Sequence, residues 1–249
     1  MTSDKFRGCS RLYLGVDIAG AGNTWACALQ NTGATLLVQE PPCSKKLDQI
    51  VTYCDEKLVL AAAIDAQLTW APIEVEDAGF RTSDVSLRDM LPNKKWVQSQ
   101  NSLMAVTVRG RQLAECLAPR VGTLIETHPR ACLYFFAEAN DKSLVESVNL
   151  YKYKPKKGDS QEDKKRAKEE ANRLWNRWTQ RFNIKQPKNA CDVNDGALDA
   201  LVCATIAYLF HESPEYLCLL VHEARDKRGQ GPFMVLRPVE GCLKSSPES

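Results

Sequence analysis

Four carboxylates fall where acids are rare. Asp17 lies inside an apolar run between Val16 and Ile18, Asp65 closes Ala61-Ala62-Ala63-Ile64, and Glu126 closes Thr123-Leu124-Ile125. Asp199, one turn after Asp195, stands on the Val202/Ile206 side of a strongly apolar helical stretch. Acids are depleted in strands, and an ionised carboxylate buried without a partner costs several kcal/mol. Four converging carboxylates would also repel one another. A divalent cation relieves both problems, and Mg²⁺ or Mn²⁺ takes carboxylate oxygens readily. Two such ions, about 3.5–4 Å apart, can activate a water and stabilise a leaving oxygen in displacement at phosphorus. The candidate ligands are Asp17, Asp65, Glu126, Asp195 and Asp199, and His128 is a candidate proton shuttle.

Each acid has a plainer alternative. Asp17 could cap the Gly20–Asn23 turn, Asp65 could be a strand-end turn residue, and Glu126 could pair with Arg130. Asp195 or Asp192 could be a helix N-cap, and Asp199 could bond a buried backbone group.

Around these residues the chain reads as α/β. Arg11–Ala19, Thr24–Gln30 and Thr35–Gln39 form a three-strand meander that Pro41-Pro42 should stop. Ser44 is a plausible N-cap for a helix carrying Leu47, Ile50, Val51 and Cys54. Leu58–Ile64 is continuously apolar, as in a strand buried on both faces. Residues 67–100 look irregular. A helix is expected over Ser102–Leu117, a strand over Gly122–Thr127 and a helix from Pro129 to about Ala139. The final elements are a helix over Asp195–Phe210 and a strand over Tyr216–Val221. Asp65 and Glu126 then end strands, where open α/β sheets bind ligands.

The 249 residues, 44% hydrophobic and 26% charged, fit a globular chain, and the net charge is only +2. That sum conceals a contrast. Residues 152–188 hold 13 basic and five acidic residues, a local +8 that leaves −6 elsewhere. In the same segment Ala167, Ala171, Leu174, Trp175, Trp178 and Phe182 recur at helical spacing, which predicts an amphipathic helix docked by its aromatic stripe. Lys156, Lys157, Arg166, Arg173 and Arg177 are candidate phosphate contacts, as are Arg81 and Arg88, although these two could equally bridge Asp84. Nucleic acid is the expected partner, held with salt-dependent affinity through its backbone. The ten cysteines contain no C-x-x-C spacing, which excludes zinc-ribbon and thioredoxin-type sites. With no apolar leader and no run near ~20 apolar residues, the expected setting is cytoplasmic or nuclear, away from membranes.

Several short motifs occur in order: Gly15-Val16-Asp17, Ala63-Ile64-Asp65-Ala66, Phe80-Arg81 with Asp84 and Arg88, Glu126-Thr127-His128-Pro129, and Asp195-Gly196-Ala197-Leu198-Asp199-Ala200-Leu201. The set resembles the domain-of-unknown-function-429 family, predicted nucleases of RNase H-like fold, over roughly residues 12–210. The resemblance implies a mixed five-stranded sheet in the order 3-2-1-4-5 flanked by helices. It makes the whole chain one domain, with a core at about 11–222, a basic helical insertion at about 152–188 and a polar tail at 243–249. It also implies that Asp17, Asp65 and Asp199 or Asp195 bind metal, and that Glu126 belongs to a Glu-x-x-Pro motif. The last helix is similar to that of RuvC-type resolvases, which act as homodimers. Gln67 departs from the family, where Pro usually follows Asp-Ala. Two other functions fit parts of the sequence. One is a catalytically silent nucleic-acid- or protein-binding module. The other is an actin/hexokinase-like phosphotransferase, for which residues 17–24 resemble a phosphate-binding hairpin.

Overall fold

The structure is a computed structural model, and it describes residues 11–20, 23–71, 79–186, 193–221 and 231–238. The expected polar tail, the last two residues of the basic segment and part of the Gly20–Asn23 turn lie outside them. Strands β1 (Leu12–Asp17), β2 (Trp25–Asn31) and β3 (Leu36–Ser44) form the antiparallel meander. Helix α1 (Leu47–Glu56) leads to β4 (Val59–Asp65), and α2 (Thr82–Met90) and α3 (Met104–Leu117) to β5 (Thr123–Glu126). Then come α4 (Pro129–Asn140), α5 (Val145–Asn149), α6 (Gln161–Arg181), the two-residue β6 (Ile184–Lys185), α7 (Asp195–Glu212), β7 (Leu217–Leu220) and β8 (Phe233–Leu236). No described helix is long and apolar enough to cross a membrane. The seven described cysteines form no disulfide with one another.

The sheet order is β6-β3-β2-β1-β4-β5-β8-β7. The expected 3-2-1-4-5 order is its inner part, with β4 parallel to both β1 and β5. The expectation of five strands is corrected to eight among the described residues, because β6 extends one edge and β8 and β7 the other. The sheet therefore reaches Leu236, beyond the expected core limit near residue 222. Local pattern could not place β8: it is four residues long, and its partners β5 and β7 are distant in sequence or reversed in direction.

Two further expectations are corrected. The prolines at 41 and 42 do not end β3. Between the pairs Ala26↔Cys43 and Ala28↔Glu40 the register shifts, so the prolines occupy a bulge where no ladder donor is required. Ser44 therefore belongs to the strand, and α1 has Lys46 at its N-cap instead. Residues 82–90, read as irregular, form α2, whose first turn is closed by Asp84 accepting the Arg81 backbone N–H (2.9 Å).

Apolar residues pack on both faces of the sheet. Leu14, Val16, Ala62, Ile64 and Leu124 pack with Ile50 of α1 and Leu113 of α3. Tyr13, Ala61, Ala63 and Ile125 pack on the opposite face with α4, α6 and α7. Helix α6 docks through Trp175 and Trp178, both buried, as its spacing predicts, and Trp178 Nε1–H donates to Thr205 Oγ1 of α7 (2.9 Å).

Helix α7 lies directly on the strands that carry acids. A Cβ added to Gly15 would come within 2.1 Å of Ala200 O and Ala204 N of α7. Only a residue without a side chain permits that approach. Gly15→Ala is expected to cost about 3 kcal/mol or more, since neither backbone can move aside. A lowered urea midpoint would show this, and an unchanged midpoint would refute it.

Candidate metal and phosphoryl-transfer site

Strand periodicity explains how the acids meet. Asp17 and Asp65 are register partners at the ends of adjacent parallel strands. Side chains alternate across a strand, so Asp17 follows Tyr13 and Gly15 onto the α7 face, and Asp65 follows Ala61 and Ala63. Helix α7 begins with Asn194 Oδ1 accepting the Ala197 N–H (2.9 Å). Asn194 is thus the cap, and Asp195 is left in the first turn, where the helix dipole favours an anion. Asp199 follows one turn later, directly before the Ala200 carbonyl that rests on Gly15. Asp17, Asp65, Asp195 and Asp199 all line one cavity of about 530 Å³.

The cluster is electrostatically tense. Asp199 is 4% exposed, and its Oδ1 has no hydrogen-bond partner. Burial, then the nearby Asp17 charge, pushes its pKa well above the carboxylate range, and Asp65 and Asp195 add to the effect. Asp17 is raised by burial and then by Asp65. Burial likewise raises Asp65, with Lys154 opposing and Glu126 adding.

Lys154 is the cation at this cluster. Its Nζ stands 3.3 Å from Asp195 Oδ2. Burial works against its charge, but Tyr151, Asp199, Asp195 and Asp17 outweigh burial and raise its pKa. In the sequence Lys154 is one of the 13 basic residues of the 152–188 segment. The signal was the alternation Tyr151-Lys152-Tyr153-Lys154. Tyr153 is fully buried and meets the Tyr151 ring edge-on at 5.1 Å. Tyr151 adopts a left-handed backbone (φ 57°), and its ring covers the Arg130 guanidinium at 3.9 Å. Trp96 lies 3.9 Å from the same guanidinium, which donates to Val148 O and Asn149 O. The turn that presents Lys154 is thereby fastened to α4 and α5.

Glu126 lines the cavity but has other partners. Its position in β5 matches that of Leu124, so it faces the α1/α3 side. There both oxygens accept from Arg81, and Oε2 also accepts the Leu68 N–H (2.8 Å). Its partner is Arg81, and the expected alternative of Arg130 is corrected. Arg81 itself is corrected as a phosphate contact. It is fully buried, and its guanidinium is consumed by Asp84, Thr69 and Glu126. Gln67, at the departure from the family motif, joins Asp84 (3.3 Å), the Gln98 carbonyl (3.1 Å) and Thr107 (3.2 Å). It fastens the turn after β4 with a side chain that proline lacks.

His128 is the N-cap of α4. Its Nδ1 accepts the Ala131 N–H (3.3 Å), so Nε2 carries the proton donated to Trp96 O (3.3 Å). Burial lowers its pKa. Both nitrogens are engaged in hydrogen bonds that hold α4, which is the structural alternative to the proton-shuttle expectation. His128→Asn, which retains a capping oxygen, is expected to leave any cleavage rate within about threefold, because general acid–base roles are worth 10²–10⁴-fold. A rate loss above 100-fold with an unaltered melting midpoint would contradict this.

The remaining basic candidates lie elsewhere. Arg88 stacks on Phe80 at 4.1 Å. On α6, Arg166 pairs with Glu162 (2.8 Å), Arg173 donates to Ser143 (2.6 Å) and Arg177 pairs with Asp141 (3.3 Å). Lys156 and Lys157 are exposed before α6. None of these six or of the other α6 residues lines the acidic cavity.

Residues 15–220 match the family described as "Protein of unknown function (DUF429)". The chain belongs to that family. No curated protein and no solved structure matches it. In this DUF429 chain the matched span takes in all four clustered aspartates, Lys154 and the Arg81–Glu126 pair, whereas β8 lies beyond it.

The donor set has the chemistry of a hard-cation site: all-oxygen, anionic and short of compensating donors. The side chains are nevertheless not gathered around a vacant position. Among the described residues, no three His, Cys, Asp or Glu side chains are grouped to hold a metal ion as they stand.

Proposed function

We propose that this chain is a nuclease of RNase H-like architecture that hydrolyses phosphodiester bonds of nucleic acid with Mg²⁺ or Mn²⁺. The observation that carries this reading is the convergence of Asp17, Asp65 and Asp199 on one cavity, with a buried Asp199 oxygen lacking any partner. Such a cluster is unfavourable unless a cation neutralises it. The sheet contains the 3-2-1-4-5 order of RNase H-like proteins, which supports the assignment.

Asp17, Asp65 and Asp199 would hold the metal, with Asp195 completing the set at the cavity mouth. A bound divalent ion supplies Lewis-acid activation of water and neutralises charge on the phosphoryl oxygens. The chain supplies the rest. Gly15 and the α7 backbone hold Asp199 against Asp17, and the Arg81–Glu126–Asp84 cluster fixes the ends of β4 and β5. Glu126 is a positioning residue in this arrangement, and His128 holds α4.

The test is cleavage of RNA, DNA, hybrid and branched-junction substrates with Mn²⁺, against an Asp17→Asn/Asp199→Asn control. Metal-dependent cleavage absent from the control supports the reading. Cleavage that survives in the control overturns it. One observation favours a second reading, a catalytically silent nucleic-acid-binding module: the Lys154 ammonium already serves as counter-ion to the acids. Metal-independent binding of nucleic acid without cleavage of any substrate would select that reading.

A further inference from the structure

Lys154 is a built feature of the cavity. Its turn is held by a buried tyrosine, by a second tyrosine in a left-handed conformation, and by Arg130 between two aromatic rings. A non-glycine residue in that backbone region stores strain that the surroundings must over-determine. The effect of this arrangement is to bring an ammonium to 3.3 Å from Asp195 and 5.4 Å from the Tyr151 ring centroid. Arg130, which also lines the cavity, is spent on Val148 O and Asn149 O. The charge of Lys154 also acts on Asp17, Asp65 and Asp199, the residues read above as metal ligands.

We propose that Lys154 is an intramolecular counter-cation for the aspartate cluster, which a divalent ion must displace in order to bind. The inference rests on the metal-centre reading and adds a property to it: the site exchanges one cation for another. It accounts for two facts together, the acids held close within a folded chain and the lack of a ready-made three-ligand group among the described residues. Two cations close together repel strongly at low effective dielectric, so the ammonium and the metal compete. The Lys154 side chain is 42% exposed, and its flexible stem lets the ammonium withdraw toward the cavity mouth.

The experiment is calorimetric titration of the full chain with Mn²⁺, accompanied by melting curves with and without Mn²⁺. Neither readout needs activity. Lys154→Met removes the competing charge and should bind Mn²⁺ about tenfold tighter or more. Its metal-free melting midpoint should fall, and Mn²⁺ should raise it by more than in the wild type. Lys154→Arg keeps a cation and should bind no tighter than the wild type. Mn²⁺ binding by Lys154→Met that is equal to or weaker than wild type overturns the exchange and leaves the metal centre standing. Binding by neither protein, or binding undiminished in Asp199→Asn, overturns the metal centre and the exchange with it. If Lys154→Met does not fold, Lys154→Gln takes its place. Should both require Mn²⁺ to fold, the exchange is supported; should Mn²⁺ not restore them, it is refuted.

Discussion

Asp199→Asn is expected to stabilise the metal-free protein while abolishing its metal-dependent chemistry. Asp199 is 4% exposed, has an unpartnered Oδ1 and lies in the field of Asp17, Asp65 and Asp195. An amide of the same size removes the repelled charge and brings two donors among carboxylates that Lys154 alone offsets. Relief of this kind at functional sites is worth about 0.5–2 kcal/mol. For a chain of this length it corresponds to a rise in melting midpoint of roughly 2–4 °C per kcal/mol. Activity should move the other way. Replacing residues that merely support metal ligands lowers affinity or rate about 10–100-fold, so loss of a ligand should exceed about 100-fold. The opposite signs are diagnostic. A structural aspartate bonded to the backbone would lose stability on substitution. A rise in midpoint with loss of Mn²⁺-dependent cleavage identifies a residue kept for chemistry despite its cost. The measurements are a thermal melt without added metal and a cleavage assay with it.

Arg81→Met should have the largest effect on stability of any single substitution considered. Arg81 is fully buried between two carboxylates, with Nη2 at 2.6 Å from Asp84 Oδ1 and Nη1 at 2.7 Å from both Glu126 Oε2 and Thr69 Oγ1. Burial works against its charge, but Glu126 and Asp84 more than compensate and raise its pKa. Breaking such a cluster by removing one partner costs about 3–5 kcal/mol, because the remaining charges stay buried and uncompensated. The effect should spread. Glu126 also accepts the Leu68 N–H, and the Thr69 carbonyl accepts from Gln100 (2.6 Å) and Arg111. The turn after β4 should therefore loosen, and Asp65 with it. Arg81→Lys should recover little, since one ammonium cannot span two carboxylates and a hydroxyl in planar fashion. Arg81→Met combined with Glu126→Gln should recover part of the loss, because one stranded charge is gone. Urea denaturation of the three variants decides the matter. An Arg81→Met midpoint within error of wild type would show that the cluster contributes no net stability.

Much of the site was legible before folding because burial makes acids conspicuous. Asp17, Asp65 and Asp199 each interrupt an apolar pattern, and a pattern that excludes water also excludes uncompensated charge. The inner strands and α6 were legible for a related reason: periods of 2 and 3.6 are local, and Trp175 and Trp178 fall on the buried side of their helix as their spacing requires. Glu126 interrupts its pattern just as plainly, yet it lies one step out of phase with Asp17 and Asp65. That phase depends on how β5 registers against β4, a non-local fact. Arg81 and Arg88 looked alike as cations of one motif, but only the fold buries one completely and leaves the other stacked on Phe80.

The sequence by itself thus determined the acid inventory, the α/β plan and the amphipathic face of α6, since these follow from hydrophobic period and the cost of burying charge. Only the tertiary structure decided which acids share a face, that β8 enters between β5 and β7, and that Lys154 meets Asp195 across 41 residues. Contacts between distant segments arise from register, helix approach over Gly15 and turn geometry at Tyr151. No local pattern encodes those, because each depends on two segments at once.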